Sequence, residues 1–269
     1  SVGVNSSFPA LSPDALRGGP AIVTPGRTSG SWRFYGDTRR VLSLFVYGGG
    51  SLEDRTGGYG YSGGAAVTIR PSSRMEVATG PYFSRTVNAW QYVGEQVSGG
   101  ETVYLFARTD YPSAALTLRL DYTFSPDLSL QFYGAPFVGA AQYSEFRRIS
   151  DHRAVRFADR FHTFEEGQIR FQPESNTFLV DLSGDGTPEL SIRNPSFNTK
   201  ALDSNLVLRW EYRPGSTLFA VWSHGRWGYL SDGSFQLGRD IRQLVAASSN
   251  SPLPRSNVFL LKFSYWFGL

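Results

Sequence analysis

The sequence predicts an all-β chain and, within that class, an antiparallel transmembrane β-barrel of the outer-membrane type, with about eight or more strands and long external loops. Three observations predict it. Apolar and polar residues alternate with period two along many separate segments, tight-turn residues separate those segments, and the last segment repeats the alternation with aromatic side chains. Composition agrees with this. The 269 residues carry a formal charge of only +3, 18% are charged and 15% aromatic, yet mean hydropathy is slightly negative. A soluble enzyme rarely combines these values, whereas strands that divide their side chains between lipid and water do. The absence of cysteine removes thiol catalysis, zinc–thiolate sites and iron–sulfur clusters. With no Lys/Arg run to follow a phosphate backbone, nucleic acid is not an expected partner. No run of 18 apolar residues occurs, which excludes a membrane-spanning helix but not a spanning strand of about 9–11 residues.

The elements follow in order. Residues 1–28, with Pro9, Pro13, Gly18-Gly19-Pro20 and Pro25-Gly26, show no strand pattern and are expected to form an extended arm or partial plug. Ser31–Gly36 and Val41–Gly48 are strand candidates across Asp37-Thr38-Arg39-Arg40. Ala65–Arg70 and Met75–Phe83 form a hairpin across Pro71-Ser72-Ser73. In the clearest hairpin, Leu116, Leu118, Leu120, Tyr122 and Phe124 alternate with Thr117, Arg119, Asp121 and Thr123. Ser125-Pro126-Asp127 turns the chain, and Leu128, Leu130 and Phe132 return. Glu101–Phe124 is read as one long strand bent at Pro112 or as two strands. Leu206, Leu208, Trp210 and Tyr212 lead into the Arg213-Pro214-Gly215-Ser216 turn and Leu218–Trp222, with Val207 the one exception on the polar side. Residues 239–247 resemble one or two amphipathic helical turns. In the final segment Phe259, Leu261, Phe263, Tyr265, Phe267 and Leu269 share one face, and Lys262, Ser264 and Gly268 the other.

Short turns at Asp37–Arg40, Pro71–Arg74, Ser125–Asp127 and Pro214–Ser216 alternate with long segments at Gly49–Gly58, Asn88–Gly100, Ser144–Lys200 and Arg226–Ser256. Outer-membrane barrels have short periplasmic turns and long external loops, so the long segments are expected outside. About eight strands follow Val41, and Ser31–Gly36 adds one without an upstream neighbour. Together with an opening that lacks a signal peptide and an initial Met, this predicts that 29–269 is the C-terminal part of a larger barrel; the alternative is that the first strand closes against the last, with residues 1–28 as the arm or partial plug.

Several stretches resemble one family. They are Leu16-Arg17-Gly18-Gly19-Pro20, the run from Arg119 to Tyr133, the block Asn205-Leu206-Val207-Leu208-Arg209-Trp210-Glu211-Tyr212-Arg213-Pro214-Gly215-Ser216, and the Lys262-Phe263-Ser264-Tyr265-Trp266 ending. They resemble the C-terminal outer-membrane β-barrel domain, of unknown function, of Gram-negative proteins that carry an N-terminal family-9 carbohydrate-binding-like module. That module is not within these residues. The resemblance implies location and architecture: the bacterial outer membrane, a lipid-covered exterior, and a C-terminal strand read by the barrel-assembly machinery. It implies no reaction.

Candidate residues fall into three groups. Arg70, Glu76, Arg119, Asp121, Arg209, Glu211 and Lys262 lie on polar strand faces and are expected to line a lumen, either open to water and ions or closed by cross-strand ion pairs. Trp90 and Trp227 fall at long segments and are candidates for surface ligand contact, a glycan or a protein partner. Asp181, Ser183, Asp185 and Glu189, with Gly186 turning the chain, reproduce the first part of a calcium loop, but the twelfth position is Ile192. An Asp-Gly turn explains the same residues, and no other cofactor is expected. The three histidines, His152, His162 and His224, lack a nucleophile motif, so this segment is expected to be non-enzymatic. Transport or surface presentation is the expected role. The alternative is a membrane anchor or accessory part of a polysaccharide-binding or polysaccharide-degrading surface protein.

Overall fold

The computed structural model describes residues 1–246 and 253–267. Strand accounts for 67% of it and helix for 5%, so the chain is all-β. In chain order the elements are β1 (Val2–Ser7), β2 (Ala10–Ser12), β3 (Ile22–Thr24), β4 (Arg27–Tyr35), β5 (Leu42–Glu53), β6 (Tyr59–Ser72), β7 (Met75–Ser98), β8 (Glu101–Ser125), β9 (Leu128–Ile149), α1 (Phe157–Arg160), β10 (Phe161–Thr163), β11 (Ile169–Gln172), β12 (Thr177–Val180), β13 (Leu190–Arg193), β14 (Phe197–Arg213), β15 (Ser216–Leu230), α2 (Leu237–Val245) and β16 (Arg255–Ser264). One antiparallel sheet dominates, in the order β1-β4-β5-β6-β7-β8-β9-β14-β15-β16, with β10 added to β9. Among the described residues β1 and β16 are its two edge strands, each paired on one side only. The sheet is therefore open here, not the closed barrel expected.

The three hairpins form at the expected turns, because apolar and polar residues alternate in step on both arms and pairing in that register puts each set on one face. One expectation about a loop is corrected. Asn88–Gly100 is no loop: β7 runs for 24 residues to Ser98 and β8 for 25 from Glu101, joined by Gly99 and Gly100 alone. Both glycines have positive φ, 59° and 84°, as a tight hairpin turn requires. Glu101–Ser125 is a single strand, and Pro112 interrupts the β8–β9 pairing between Asp110 and Ser113 without changing its register. The arm is also more ordered than expected. Val2–Ser7 pairs with β4 as an edge strand, while β2 and β3 form a small ladder.

The final strand stops at Ser264, not at Leu269, because its partner β15 starts at Ser216 and offers no further pairing. Trp266 instead donates its backbone N–H to the Ser216 hydroxyl at 3.0 Å and lies against Gly215, where a β-carbon would come within 2.9 Å of the Trp266 Cβ. Gly268 and Leu269 lie outside the described residues, as does Ala247, the last residue of the expected helical turns.

One face of the main sheet carries an apolar band. Leu42, Ile69, Val77, Leu120, Phe132, Leu206, Trp222 and Phe259 stand directly opposite one another in a single row from β5 to β16. The band is oblique to such rows. On β4 and β5 it reaches up to Phe34 and Val46, whereas the same row holds Arg226 and Arg255 on β15 and β16. At the other margin it descends to Trp210, Leu218 and Phe263.

Toward the long-loop end the strands leave this band and are packed on both sides. Leu105, Ala107 and Phe146 bury Val180, Leu190 and Ile192 of the three-stranded sheet β11–β13. Phe106 and Phe161 bury Leu16 and Ile22 of the arm. The Arg160 guanidinium ties the arm down, donating to the carbonyls of Val23, Ala154 and Val155 at 2.7, 2.7 and 2.9 Å. Helix α2 folds back onto Val138 and Leu202 through Ile241 and Leu244. Asp240 is fully buried there, 3.3 Å from Lys200 and bonded to Asn198 and Arg239. Breaking a buried pair by removing one partner costs about 3–5 kcal/mol, because it strands the other charge. Asp240→Ala is expected to release α2, read as loss of amide-exchange protection over Leu237–Val245 and a fall in unfolding free energy of that order. Unchanged protection would show that the pair does not dock the helix.

Candidate functional site

The polar face of the main sheet collects the charges that the sequence singles out. Arg70 Nε donates to Glu76 Oε2 at 2.7 Å. Glu76 stands opposite Asp121, and Asp121 opposite Gln131, so two carboxylates occupy adjacent strands. Arg119 stands opposite Tyr133 with its guanidinium 5.4 Å from the ring centroid, a cation–π distance. Arg209 donates to Glu211 Oε2 at 2.7 Å, and Glu211 Oε1 accepts the Gly215 N–H that closes the hairpin turn. Lys262 and Arg209 both face Phe219 from its two sides. All seven residues share one face. A depression of about 410 Å³ between Arg119, Asp121, Gln131, Tyr133 and Asn205 lies among them.

Further toward the loop end the same face carries a row without charge. Ser31, Gly49, Ser62, Ser84, Ser113 and Gly139 form one row of small residues across β4–β9. Beside it the rings of Tyr35, Phe45, Tyr47 and Tyr82 follow one another at 4.7, 5.3 and 6.4 Å, tilted by only 24–26°. Gly64 makes this possible, since a β-carbon there would come within 2.7 Å of the Tyr47 hydroxyl. A concavity of about 540 Å³ opens over this region, lined by Arg27, Ser29, Ser51, Ser62, Tyr82 and Thr86. Hydroxyls, one guanidinium and flat rings can hold water or a polar, uncharged solute. The period-two pattern had no means of marking this part, because Ser, Gly and Tyr carry no strong signal of which face they occupy.

The other candidates separate. Trp90 is packed against the Leu16, Ile22 and Phe106 cluster with its indole nitrogen buried, so it is a core residue and not a surface contact. Trp227 is 59% exposed on β15 and remains accessible. His162 Nε2 meets Gln168 Oε1, and His224 Nδ1 meets Asn257 Oδ1.

Asp181, Asp185 and Glu189 each bring an oxygen within 4.8 Å of the others. These oxygens are largely engaged, however. Asp181 accepts the N–H groups of Gly184 and Gly186 and the Ser183 hydroxyl, and Glu189 accepts those of Leu182 and Ser183. Burial pushes Asp181 up, but the Gly186 and Gly184 amides outweigh it and hold its carboxyl below the ordinary range. Bonds from Ser183 and Leu182 do the same for Glu189. The loop is thus a closed acidic turn whose donors are its own amides.

The chain matches no family model, no curated protein and no solved structure.

Because both carboxyls are depressed, their contribution to the loop is complete above the ordinary carboxylate range and is lost as pH falls through the lowered values. Residues 181–189 are expected to stay closed from about pH 5 to 8 and to lose stability progressively below about pH 4, seen as amide-exchange protection at Gly184 and Gly186 corrected for intrinsic rate. Since amides already fill the coordinating positions, melting curves with calcium and with a chelator are expected to coincide. A calcium-dependent rise would instead support the metal reading.

Proposed function

We propose that this chain is a bacterial outer-membrane β-barrel protein serving transport or surface presentation, with no reaction carried by this segment. The observation that carries the reading is the apolar band. Leu118, Leu208 and Trp222 are 36%, 37% and 39% exposed, Phe259 and Leu261 76% and 75%, and they are contiguous over one face. A water-soluble monomer rarely leaves such a continuous apolar surface open. Its slant is what tilted strands require: a membrane is horizontal, barrel strands incline by about 35–45°, and a band of constant height must cross successive hydrogen-bonded rows obliquely. No described helix is long and apolar enough to cross a membrane, which says nothing about crossing with strands.

In this reading lipid covers the band, the polar face lines the interior, and the long-loop end, with β11–β13 and the arm, lies outside. The alternating apolar residues of β16 are what the barrel-assembly machinery would read, and the motif resemblance to C-terminal barrel domains belongs to the same proposal. A second reading, a membrane anchor or accessory part of a polysaccharide-handling surface protein, is favoured by the ring row and hydroxyl-lined concavity. Planar-bilayer conductance separates the two: steady conductance supports transport, while none, together with retention on a glycan panel, supports the anchor.

Arginine near the midplane of a barrel exterior costs about 2–4 kcal/mol, and an exposed substitution on the other face less than about 0.5. Leu118→Arg is therefore expected to destabilise the protein by the larger amount in phospholipid vesicles, and Thr123→Arg by the smaller, in urea titrations. Equal costs would remove the membrane assignment.

A further inference from the structure

The loop-end margin of the apolar band holds an electrostatic conflict. Along β15 and β16 the same face passes from Trp222 opposite Phe259, through His224 opposite Asn257, to Arg226 opposite Arg255. Directly opposed residues of an antiparallel pair stand about 4.5–5.5 Å apart at Cβ, and like charges there are destabilising. Arg226 is only 8% exposed, whereas Arg255 is exposed.

No carboxylate among the described residues forms an ion pair with either. Arg226 Nε donates to His224 Nε2 at 3.2 Å and Nη1 to the Gln243 carbonyl at 3.4 Å, both neutral acceptors. Asp240 is committed elsewhere, since Oδ1 faces Lys200 and Arg239 while Oδ2 accepts Asn198 and the Gln236 amide. Asp203, opposite Gly225, belongs to the other face. Residues 247–252 contain no acidic side chain.

The surroundings orient the pair. Because Arg226 donates into His224 Nε2, the imidazole carries its proton on Nδ1 and donates it to Asn257 Oδ1 at 2.9 Å. The same oxygen accepts the Trp222 indole N–H at 3.0 Å. Trp222 and Phe259, stacked 6.1 Å apart with rings nearly parallel, form the apolar floor immediately below.

We propose that Arg226 and Arg255 bind the phosphorylated headgroup of an outer-leaflet lipid, whose acyl chains lie along Trp222 and Phe259. Guanidinium forks match phosphate geometry, and a doubly charged phosphate between them turns a repulsion into two charge-assisted contacts. The position excludes a lumen solute, because both side chains leave the sheet on the apolar face. The apolar floor favours a lipid over free phosphate. The inference rests on the barrel reading.

The test uses the full chain refolded into phosphatidylcholine vesicles. Flotation with the vesicles is scored first, and a chain that stays in solution overturns the barrel reading and this inference with it. For the floating protein, retention of bisphosphorylated lipid A is compared with its dephosphorylated form by native mass spectrometry after detergent extraction. Preferential retention is expected, reduced about tenfold by Arg255→Gln through loss of one charge-assisted contact. Inorganic phosphate is expected not to displace it. Arg255→Glu supplies the partner that Arg226 lacks, so it is expected to abolish retention while raising the melting temperature, an opposition that a purely structural role would not produce. Equal retention of the two lipids, displacement by inorganic phosphate, or undiminished retention by Arg255→Gln would overturn the inference while leaving the barrel intact.

Discussion

Register is the constraint on which the main sheet depends. A strand that separates two environments has a side-chain period of two, so one inserted residue reverses every assignment beyond it. The sheet observes this where it matters. Its register shifts fall at Ile69/Ser72, Thr123/Ser125 and Glu211/Arg213 beside the tight turns, and at Asn88/Gln91, Tyr92/Gly94 and Phe106/Arg108 near the long loops. Between these margins the row from Leu42 to Phe259 crosses eight strands with no shift. Pro81, Pro112 and Pro136 sit inside strands and remove backbone donors, yet each leaves the count of residues unchanged.

Beyond the band the constraint lifts, and the sheet changes character. β7, β8 and β9 run for 24, 25 and 22 residues, about twice what a bilayer crossing needs. Their extensions bury both faces, one against β11–β13 and the other against the arm, as in a sandwich. The bulges permit this because parity no longer has to be kept. The Gln96 amide, exchanging hydrogen bonds with the Ser191 backbone, stitches an extension to the layer above it.

The same division explains what the sequence reveals. Strands such as Leu116–Phe124 and Leu206–Tyr212 announce themselves because one face is wholly apolar and the other polar. Asn88–Gly100 does not, since Trp90, Tyr92 and Val93 serve two covered faces and bulges break the alternation; the Ser98-Gly99-Gly100-Glu101 hairpin signal was the one cue left. The charged half of the polar face was legible for the same reason as the strands, from Arg119 and Asp121 alternating with leucines. The hydroxyl and tyrosine half was not, and neither was Arg226 opposite Arg255, because cross-strand partners 29 residues apart are set by a register that includes α2 and its loops. Trp90 misled because its surroundings read as loop.

The two outer strands carry the remaining physical demand. β1 and β16 each present one edge with no partner among the described residues, and β16 is exposed along all ten positions. In hydrocarbon an unpaired backbone group costs several kcal/mol, so such an edge cannot stand in a bilayer. Strand directions allow a solution, because ten antiparallel strands leave β1 and β16 running oppositely, as neighbours in an antiparallel barrel must. The apolar face permits it too, since Val2 and Val4 lie on the same side as Trp32, and Phe259 and Leu261 continue that side on β16. Height does not: Val2 meets Trp32 near the upper margin of the band, and residues 2–7 run away from it toward the loop end, while Phe259–Phe263 lie in the lower rows. Direct joining of β1 to β16 would leave the lower part of β16 unpaired, so compatible directions and a shared apolar face are not by themselves enough to pair these two edges.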